Sequence, residues 1–345
     1  MTTSDRVRGR KMLVTGGTGF IGSALVRGLL AGGAEVRTLD NDSRGAIGRR
    51  GKEDRIETIT GDIRDAHAVR EAVRGMDSVC HLAYINGTEF FYTKPELVLE
   101  VAVKGMMNVL DACVAEGIRE LILASSSEVY QRPPSIPTDE TAPLVVPDVM
   151  NPRFSYGGGK IISELLAVSY GRKYFERVVI VRPHNVYGPN MGREHVIPQF
   201  ILRIKESADR QPHGTVPFPI QGTGEETRAF IYIDDFVRAM LCVIDRAEPL
   251  GIYHIGTDRE ISIRELAHTV ARACGRQIQV VPGPLLEGST PRRCPDVQKL
   301  ARLGFEPSVS LEDGVRRTAE WYWSNLAENP AEAGSHVRTF PAKNP

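Results

Sequence analysis

Val14-Thr15-Gly16-Gly17-Thr18-Gly19-Phe20-Ile21-Gly22 is the stretch on which the reading of this chain turns. A short apolar run, residues 12–15, leads into it, and residues 21–30 leave it with apolar side chains at helical spacing. Residues 34–40 then form a second apolar run that ends on Asp40. The order strand, glycine turn, helix, strand is a β-α-β unit. Gly16, Gly19 and Gly22 let the backbone approach a pyrophosphate closely, and the positive end of the following helix stabilises its charge. Asp40 ends the second strand, where a carboxylate accepts from adenosine ribose hydroxyls and repels a 2′-phosphate, so the pattern predicts NAD rather than NADP. Asn41, Ser43 and Arg44 follow in the same cofactor-binding set, and Arg44 is the residue there best placed to receive a phosphate.

The alternation continues outward from that unit. Strands are predicted at 56–60, 78–83, 121–125 and 178–182, with helices at 66–73, 95–116 and 160–174 and a proline-rich loop at 131–152. Strand-helix alternation of this kind predicts a parallel sheet covered on both faces, a doubly wound α/β fold. Beyond Pro183 prolines and glycines become frequent and helices at 198–207, 233–247 and 262–274 alternate with short strands, which reads as a smaller C-terminal α/β substrate lobe. The expected division is a flexible N-terminus (1–10), a dinucleotide-binding domain carrying the catalytic residues (11–185), a mainly substrate-binding lobe (186–325) and a disordered tail (326–345).

Composition narrows the function class. Forty-three basic residues balance forty-three acidic ones in 345, so no net field draws the surface to nucleic acid or anionic lipid, and neither is expected as a partner. Five cysteines, odd in number and without a C-x-x-C pair, argue against a disulfide framework and a zinc site, and fit a reducing cytoplasm. No metal is expected, and no stretch approaches a membrane span in length.

Two further segments reach the carboxyl ends of the strands, where ligands of such sheets bind. One is Ser125-Ser126-Ser127-Glu128-Val129-Tyr130; the other is Tyr156-Gly157-Gly158-Gly159-Lys160, whose ends share a helix face. A lysine ammonium stabilises a nearby phenolate, so Tyr156 beside Lys160 suits a base working near neutral pH, and a serine hydroxyl orients the substrate alcohol. Arginine forks supply the charge-assisted bonds that a nucleoside diphosphate needs.

With these residues in view, the chain resembles the extended short-chain dehydrogenase/reductases that act on nucleotide sugars. The resemblance runs from about Lys11 to Tyr322 and rests on the glycine turn, Gly61-Asp62-Ile63, His81-Leu82-Ala83, Asn108, the serine cluster, Tyr156 with Lys160, residues 182–189, residues 227–232 and Arg292-Arg293-Cys294-Pro295-Asp296. It implies a Rossmann-type fold, NAD held by Phe20, Ile21, Asp62, Ile63, Leu82, Ala83, Tyr84, Lys160 and Pro183 besides the glycines, and a homodimer paired through the helices around 97–116 and 160–174. It also implies that Tyr156 takes the proton from a sugar 4-hydroxyl while hydride leaves C4, and that Asn185, Arg228 and Arg293 bind the substrate diphosphate or sugar. Glu128 in its serine segment, together with Asn151-Pro152-Arg153 and Arg292-Arg293-Cys294-Pro295-Asp296, resembles UDP-glucuronate decarboxylases and, less closely, 4,6-dehydratases. Arg193 falls where uronate 4-epimerases place an arginine for the sugar carboxylate. His184 and His195 read as structural or loop residues.

Three departures stand out. Gln131 replaces a glycine, Tyr84 replaces an alanine, and three glycines separate Tyr156 from Lys160. The glycines weaken the helix by roughly 1 kcal/mol each against alanine, and are expected to leave room for a bulky substrate group. The expected enzyme oxidises a nucleotide-linked hexose or hexuronate at C4, with 4-epimerisation ahead of decarboxylation or 4,6-dehydration. The rivals from other classes are a catalytically silent NAD-binding sensor and a plain alcohol dehydrogenase.

Overall fold

A computed structural model describes residues 6–43, 56–284 and 290–328. They divide into two compact units. The first holds Met1–Val186, Thr227–Glu260 and Gly288–Val309, and the second holds Tyr187–Glu226, Ile261–Glu287 and Ser310–Pro345. The first break falls after Val186. The chain then returns twice to the first unit, so the lobe expected over 186–325 is interrupted. The reason is the sheet: the strand Ile252–Ile255 pairs in parallel with the strand ending at Pro183, and a strand needs its neighbour's hydrogen bonds.

The first unit is built on seven parallel strands. β1 (Lys11–Thr15), β2 (Glu35–Asp40) and β3 (Ile56–Thr60) form one wing, and β4 (Ser78–His81), β5 (Glu120–Ala124) and β6 (Arg177–Pro183) the other. Their order is β3-β2-β1-β4-β5-β6, with Ile252–Ile255 closing the far edge. The order reverses beside β1, which makes the gap between β1 and β4 the switch point where doubly wound sheets bind ligands. In-register pairs put Thr15 beside Leu39 and His81, so the carboxyl ends of β1, β2 and β4 come level.

α1 (Phe20–Ala31) and α2 (Ala66–Val73) connect the strands, and α3 (Thr88–Thr93) follows β4. The single helix expected over 95–116 is instead α4 (Pro95–Glu100), a π-helical turn at Val101–Gly105, and α5 (Met106–Ala115). Ile63 packs against the bare Cα of Gly105 there, and Asn108 Nδ2 donates to the Ile63 carbonyl at 2.9 Å. α6 (Ser155–Tyr174) starts five residues earlier than expected and includes the three glycines. Leu13, Leu39, Val79, Leu121 and Leu123 from the strands bury against Val69, Met106, Val109 and Leu110 from the helices, with roughly 25 cal/mol per Å² of apolar surface removed from water.

The two expected ends are described only in part, and residues 1–5 lie outside the described residues. Residues 6–10 are ordered: Val7 is 2% exposed, Gly9 N donates to Gly33 O at 2.9 Å, and Arg10 Nη2 donates to Asp77 O at 3.1 Å. An apolar side chain and a paired charge fix what composition alone read as flexible. The final helix, Leu311–Glu328, runs past residue 325, and the rest of the expected tail lies outside the described residues.

The second unit contains helices Val196–Arg210, Ile263–Ala273 and Leu311–Glu328 and a parallel pair of strands, Thr215–Pro219 with Gln277–Val281. Ser262 and Glu265 cap its middle helix reciprocally. Among the described residues no helix is long and apolar enough to cross a membrane.

Candidate active site

The glycine turn lies at the switch point and its geometry is constrained on two sides. Gly16 has φ +72°, and a Cβ there would lie 2.8 Å from Ala83 N. A Cβ at Gly22 would fall onto the Gly16 carbonyl oxygen. These two positions keep the backbone bare between β1 and α1. Gly19 begins α1 without a side-chain cap among the described residues, and Phe20 and Ile21 form its first turn. A bare backbone facing an uncapped helix N-terminus fits the pyrophosphate of a dinucleotide.

Thr15 ties the two halves of this cradle together. Its Oγ accepts from Leu82 N at 3.2 Å and Ala83 N at 3.1 Å and lies 2.7 Å from His81 Nδ1. Burial, with the Lys160 charge adding to it, pulls His81 down to about 3, so the ring is neutral. At the end of β2, Asp40 accepts from Thr18 N at 3.0 Å and Asp42 N at 2.9 Å. Asn41 donates to Asp62 at 3.0 Å, and Ser43 N donates to Asn41 at 3.1 Å. Hydrogen bonds from Arg64 outweigh burial and hold the Asp62 carboxyl at about 2. Arg44 lies outside the described residues.

Tyr156 and Lys160 stand one helical turn apart near the start of α6. The Tyr156 ring stacks on Phe91 at 4.9 Å and meets Tyr84 edge-on at 5.1 Å. Lys160 Nζ donates to Ala124 O at 2.7 Å and lies 3.8 Å from the Tyr84 ring centroid and 6.0 Å from that of Tyr156. Burial pulls this ammonium down to about 7, against the Glu164 carboxylate one turn on.

The three departures of the sequence turn out to be paired. A Cβ at Gly159 would collide with the Tyr84 hydroxyl, and one at Gly157 would lie 2.7 Å from Gln131 Nε2 and 2.8 Å from Glu128 O. The room expected for a bulky substrate group is therefore occupied beside both residues by the chain itself. Gly158 faces Val146 at an ordinary 3.5 Å. Gln131 has a left-handed backbone, at φ +50°, and its amide donates to Glu128 O at 2.6 Å.

Glu128 is held between two arginines. Arg293 Nη1 bonds Oε1 at 2.6 Å and Arg153 Nη2 bonds Oε2 at 3.1 Å. Burial alone would raise its carboxyl, but Arg293 and then Arg153 outweigh it and hold the group at about 2. Ser126 Oγ accepts from Glu128 N at 3.2 Å and so starts the turn that aims this side chain. Ser127 is buried beside it. A carboxyl depressed from 4.5 to about 2 contributes stability that is complete above about pH 4.5 and disappears as pH falls toward 2. The contribution is on the order of 3 kcal/mol. Thermal unfolding followed from about pH 6 to pH 3 is expected to fall more steeply for the native protein than for Glu128→Gln; parallel curves would show that the pairing contributes nothing.

The remaining arginines are held by backbone. Arg228 donates to Thr227 O at 2.7 Å and Thr290 O at 2.5 Å, while Arg293 also reaches Thr290 Oγ at 3.2 Å. Asn185, at φ +40°, donates to Ala229 O at 2.8 Å, and Pro183 ends β6 two residues before it. Arg193 belongs to the second unit, so it is not among the groups that the first unit assembles. His184 is buried against His254 at 4.7 Å between ring centroids, and burial keeps it neutral. His195 is in the second unit, 3.8 Å from Glu194.

Thr15, Arg153 and Phe91 line this site without having been singled out as site residues. Thr15 stood in the quoted turn, but only the register with β4 shows what its hydroxyl does. Arg153 stood in the Asn151-Pro152-Arg153 segment that carries the resemblance, but its bond to Glu128, 25 residues earlier, is made only by the fold.

Residues 12–256 match the model of a family described as "NAD dependent epimerase/dehydratase family". The chain is 31% identical over 332 residues to a UDP-N-acetyl-alpha-D-glucosaminuronate decarboxylase of Bacillus cytotoxicus, covering 91% of this chain and 98% of that one. Among solved structures it is similar to an epimerase of Methanothermobacter thermautotrophicus (TM-score 0.84, 28% identity, 96% and 97% of the two chains). It is also similar to the dTDP-glucose 4,6-dehydratase DesIV of Streptomyces venezuelae with NAD bound (0.81, 31%, 92% and 98%). The glycine cradle, the parallel sheet and these matches agree: the protein is an enzyme of the NAD-dependent epimerase/dehydratase family, with NAD as its cofactor.

Proposed function

We propose that this enzyme oxidises the C4 hydroxyl of a nucleotide-linked hexose or hexuronate and completes a 4-epimerisation from the 4-keto sugar. Tyr156 takes the hydroxyl proton, and the Lys160 ammonium favours the resulting phenolate. Ser126 Oγ already accepts from Glu128 N, which leaves its own proton to donate to the sugar; Ser127 stands next to it. Bound NAD supplies the hydride acceptor and donor at C4. Gly16, Gly19, Gly22, Asp40 and the ends of β3 and β4 would hold it, and Asn185, Arg228 and Arg293 would hold the diphosphate or sugar of the substrate. Two copies pairing through α4, α5 and α6, where Leu99, Ile162 and Leu165 are exposed, belong to the same reading, and the mass of the enzyme in solution tests that part.

The observation that carries the proposal is the state of Glu128. Loss of water from the sugar needs an acid for the departing hydroxyl. Glu128 is the carboxyl of the serine segment, and two arginines keep it ionised. Epimerisation needs no such acid.

Decarboxylation is the second reading, and a different observation favours it. Arg153 Nη1 is buried with no hydrogen-bond partner among the described residues. Together with Arg293 it leaves one positive charge beyond what Glu128 neutralises, which suits a hexuronate carboxylate. The Bacillus cytotoxicus relative decarboxylates a uronate of this kind.

Incubation with NAD and a panel of UDP- and dTDP-linked hexoses and hexuronates in deuterated water separates the outcomes. Epimerisation predicts a C4 epimer without solvent deuterium, carbon dioxide or accumulating NADH. Release of carbon dioxide would establish the second reading. Deuterium at C5 or C6 with loss of water would overturn both, and NAD binding with every sugar unchanged would point to a silent sensor.

A further inference from the structure

The Lys160 ammonium has an unusual floor. Its Nζ lies 3.8 Å from the centroid of the Tyr84 ring, while Ala124 O takes one of its N–H groups. The same ring meets Tyr156 edge-on at 5.1 Å, and the Tyr84 hydroxyl donates to the Tyr156 carbonyl oxygen at 3.3 Å. Tyr84 reaches this position because residue 159 has no side chain: a Cβ there would collide with its hydroxyl and lie 2.7 Å from Ala102 Cβ. One aromatic side chain therefore touches the lysine, the tyrosine and the helix turn between them.

We propose that Tyr84 is a positioning residue for the Tyr156–Lys160 pair, whose π face keeps the buried lysine protonated and in place while its hydroxyl fixes the turn that carries Tyr156. The proposal rests on the reading of those two residues as the proton-transfer pair. Taking an ammonium out of water favours the neutral amine, and burial has brought this group to about 7. Near that value a small preference for the charged form decides how much of the lysine is protonated at neutral pH. A desolvated aromatic face supplies such a preference. The other ionisable groups facing Lys160 are Glu164, which favours the ammonium, His81, which is neutral, and Tyr156. An aliphatic side chain at position 84 keeps the site dry but offers no π face.

Titration of the full-length protein labelled with 13Cε-lysine tests this without any sugar substrate. The Lys160 resonance is assigned by its loss in Lys160→Met, and the series is recorded with and without NAD. Native protein and Tyr84→Phe are expected to titrate together, whereas Tyr84→Leu should titrate about one pH unit lower. Tyr84→Met, a flexible side chain of similar reach, repeats the measurement should the leucine variant not fold. In the sugar assay the alkaline limb of the rate profile should move down by the same interval. An unmoved midpoint in both aliphatic variants would overturn the proposal, and so would a phenylalanine variant that shifts as far as leucine. Full turnover in Lys160→Met would instead sink the assignment of the proton-transfer pair, a result the titration of Tyr84 variants does not touch.

Discussion

Tyr156→Phe is expected to lower turnover of the sugar substrate by roughly two to four orders of magnitude while leaving NAD affinity and thermal stability close to native. The substitution removes one oxygen and keeps the ring. That ring makes the packing contacts: it stacks on Phe91 and meets Tyr84 edge-on, and phenylalanine reproduces both. What disappears is the group that accepts the 4-hydroxyl proton beside the Lys160 ammonium. Single-turnover formation of NADH with a nucleotide sugar measures the oxidation step directly, and calorimetric titration with NAD measures binding. Near-native turnover in the variant would assign the base elsewhere, and every version of the proposed reaction would then fail together.

Gly22→Ala is expected to abolish useful NAD binding, with an affinity loss of at least about a hundredfold, and to destabilise the fold by more than the roughly 1–3 kcal/mol of ordinary overpacking. The added methyl falls on the Gly16 carbonyl oxygen, which is backbone and has no rotamer to change. Nor does the turn have space to retreat. A Cβ at Gly16 would already lie 2.8 Å from Ala83 N, and Thr15 pins the end of β1 to Leu82 and Ala83. Relief requires α1 to lift away from the strand, and its N-terminus is the part that fits the pyrophosphate. Gly75→Ala is the control. Its methyl would meet nothing within 4 Å, although φ is +75°, so it should cost about 1 kcal/mol of stability and no NAD affinity. Equal loss of affinity in both variants would remove the glycine cradle from the explanation.

Much of the first unit was legible because its signals are local. Apolar runs of four to seven residues, most of them followed by a helical pattern, gave β1 to β6 their places. Helix ends were harder to place. The π-helical turn at Val101–Gly105 arises where Ile63 presses on Gly105, a contact between segments about forty residues apart. The start of α6 at Ser155 was hidden by its glycines, which oppose helix on propensity and are tolerated through packing. The strand Ile252–Ile255 was visible as a short apolar run, but its partner was not, so the lobe after Pro183 was drawn as one continuous segment.

The sequence by itself determined the doubly wound α/β class, NAD as the cofactor, and Tyr156 with Lys160 one helical turn apart. Each depends on spacing within a few residues, and a backbone that must stay bare or a helix face that must be shared is written into neighbouring positions. Only the tertiary structure decided the ionisation of Glu128, whose partners Arg153 and Arg293 stand 25 and 165 residues away, and the pairing of Tyr84 with Gly159 and Gln131 with Gly157. The charge on a buried carboxylate is set by what lies within a few ångströms of it. Those neighbours arrive from distant segments, so no local pattern encodes them.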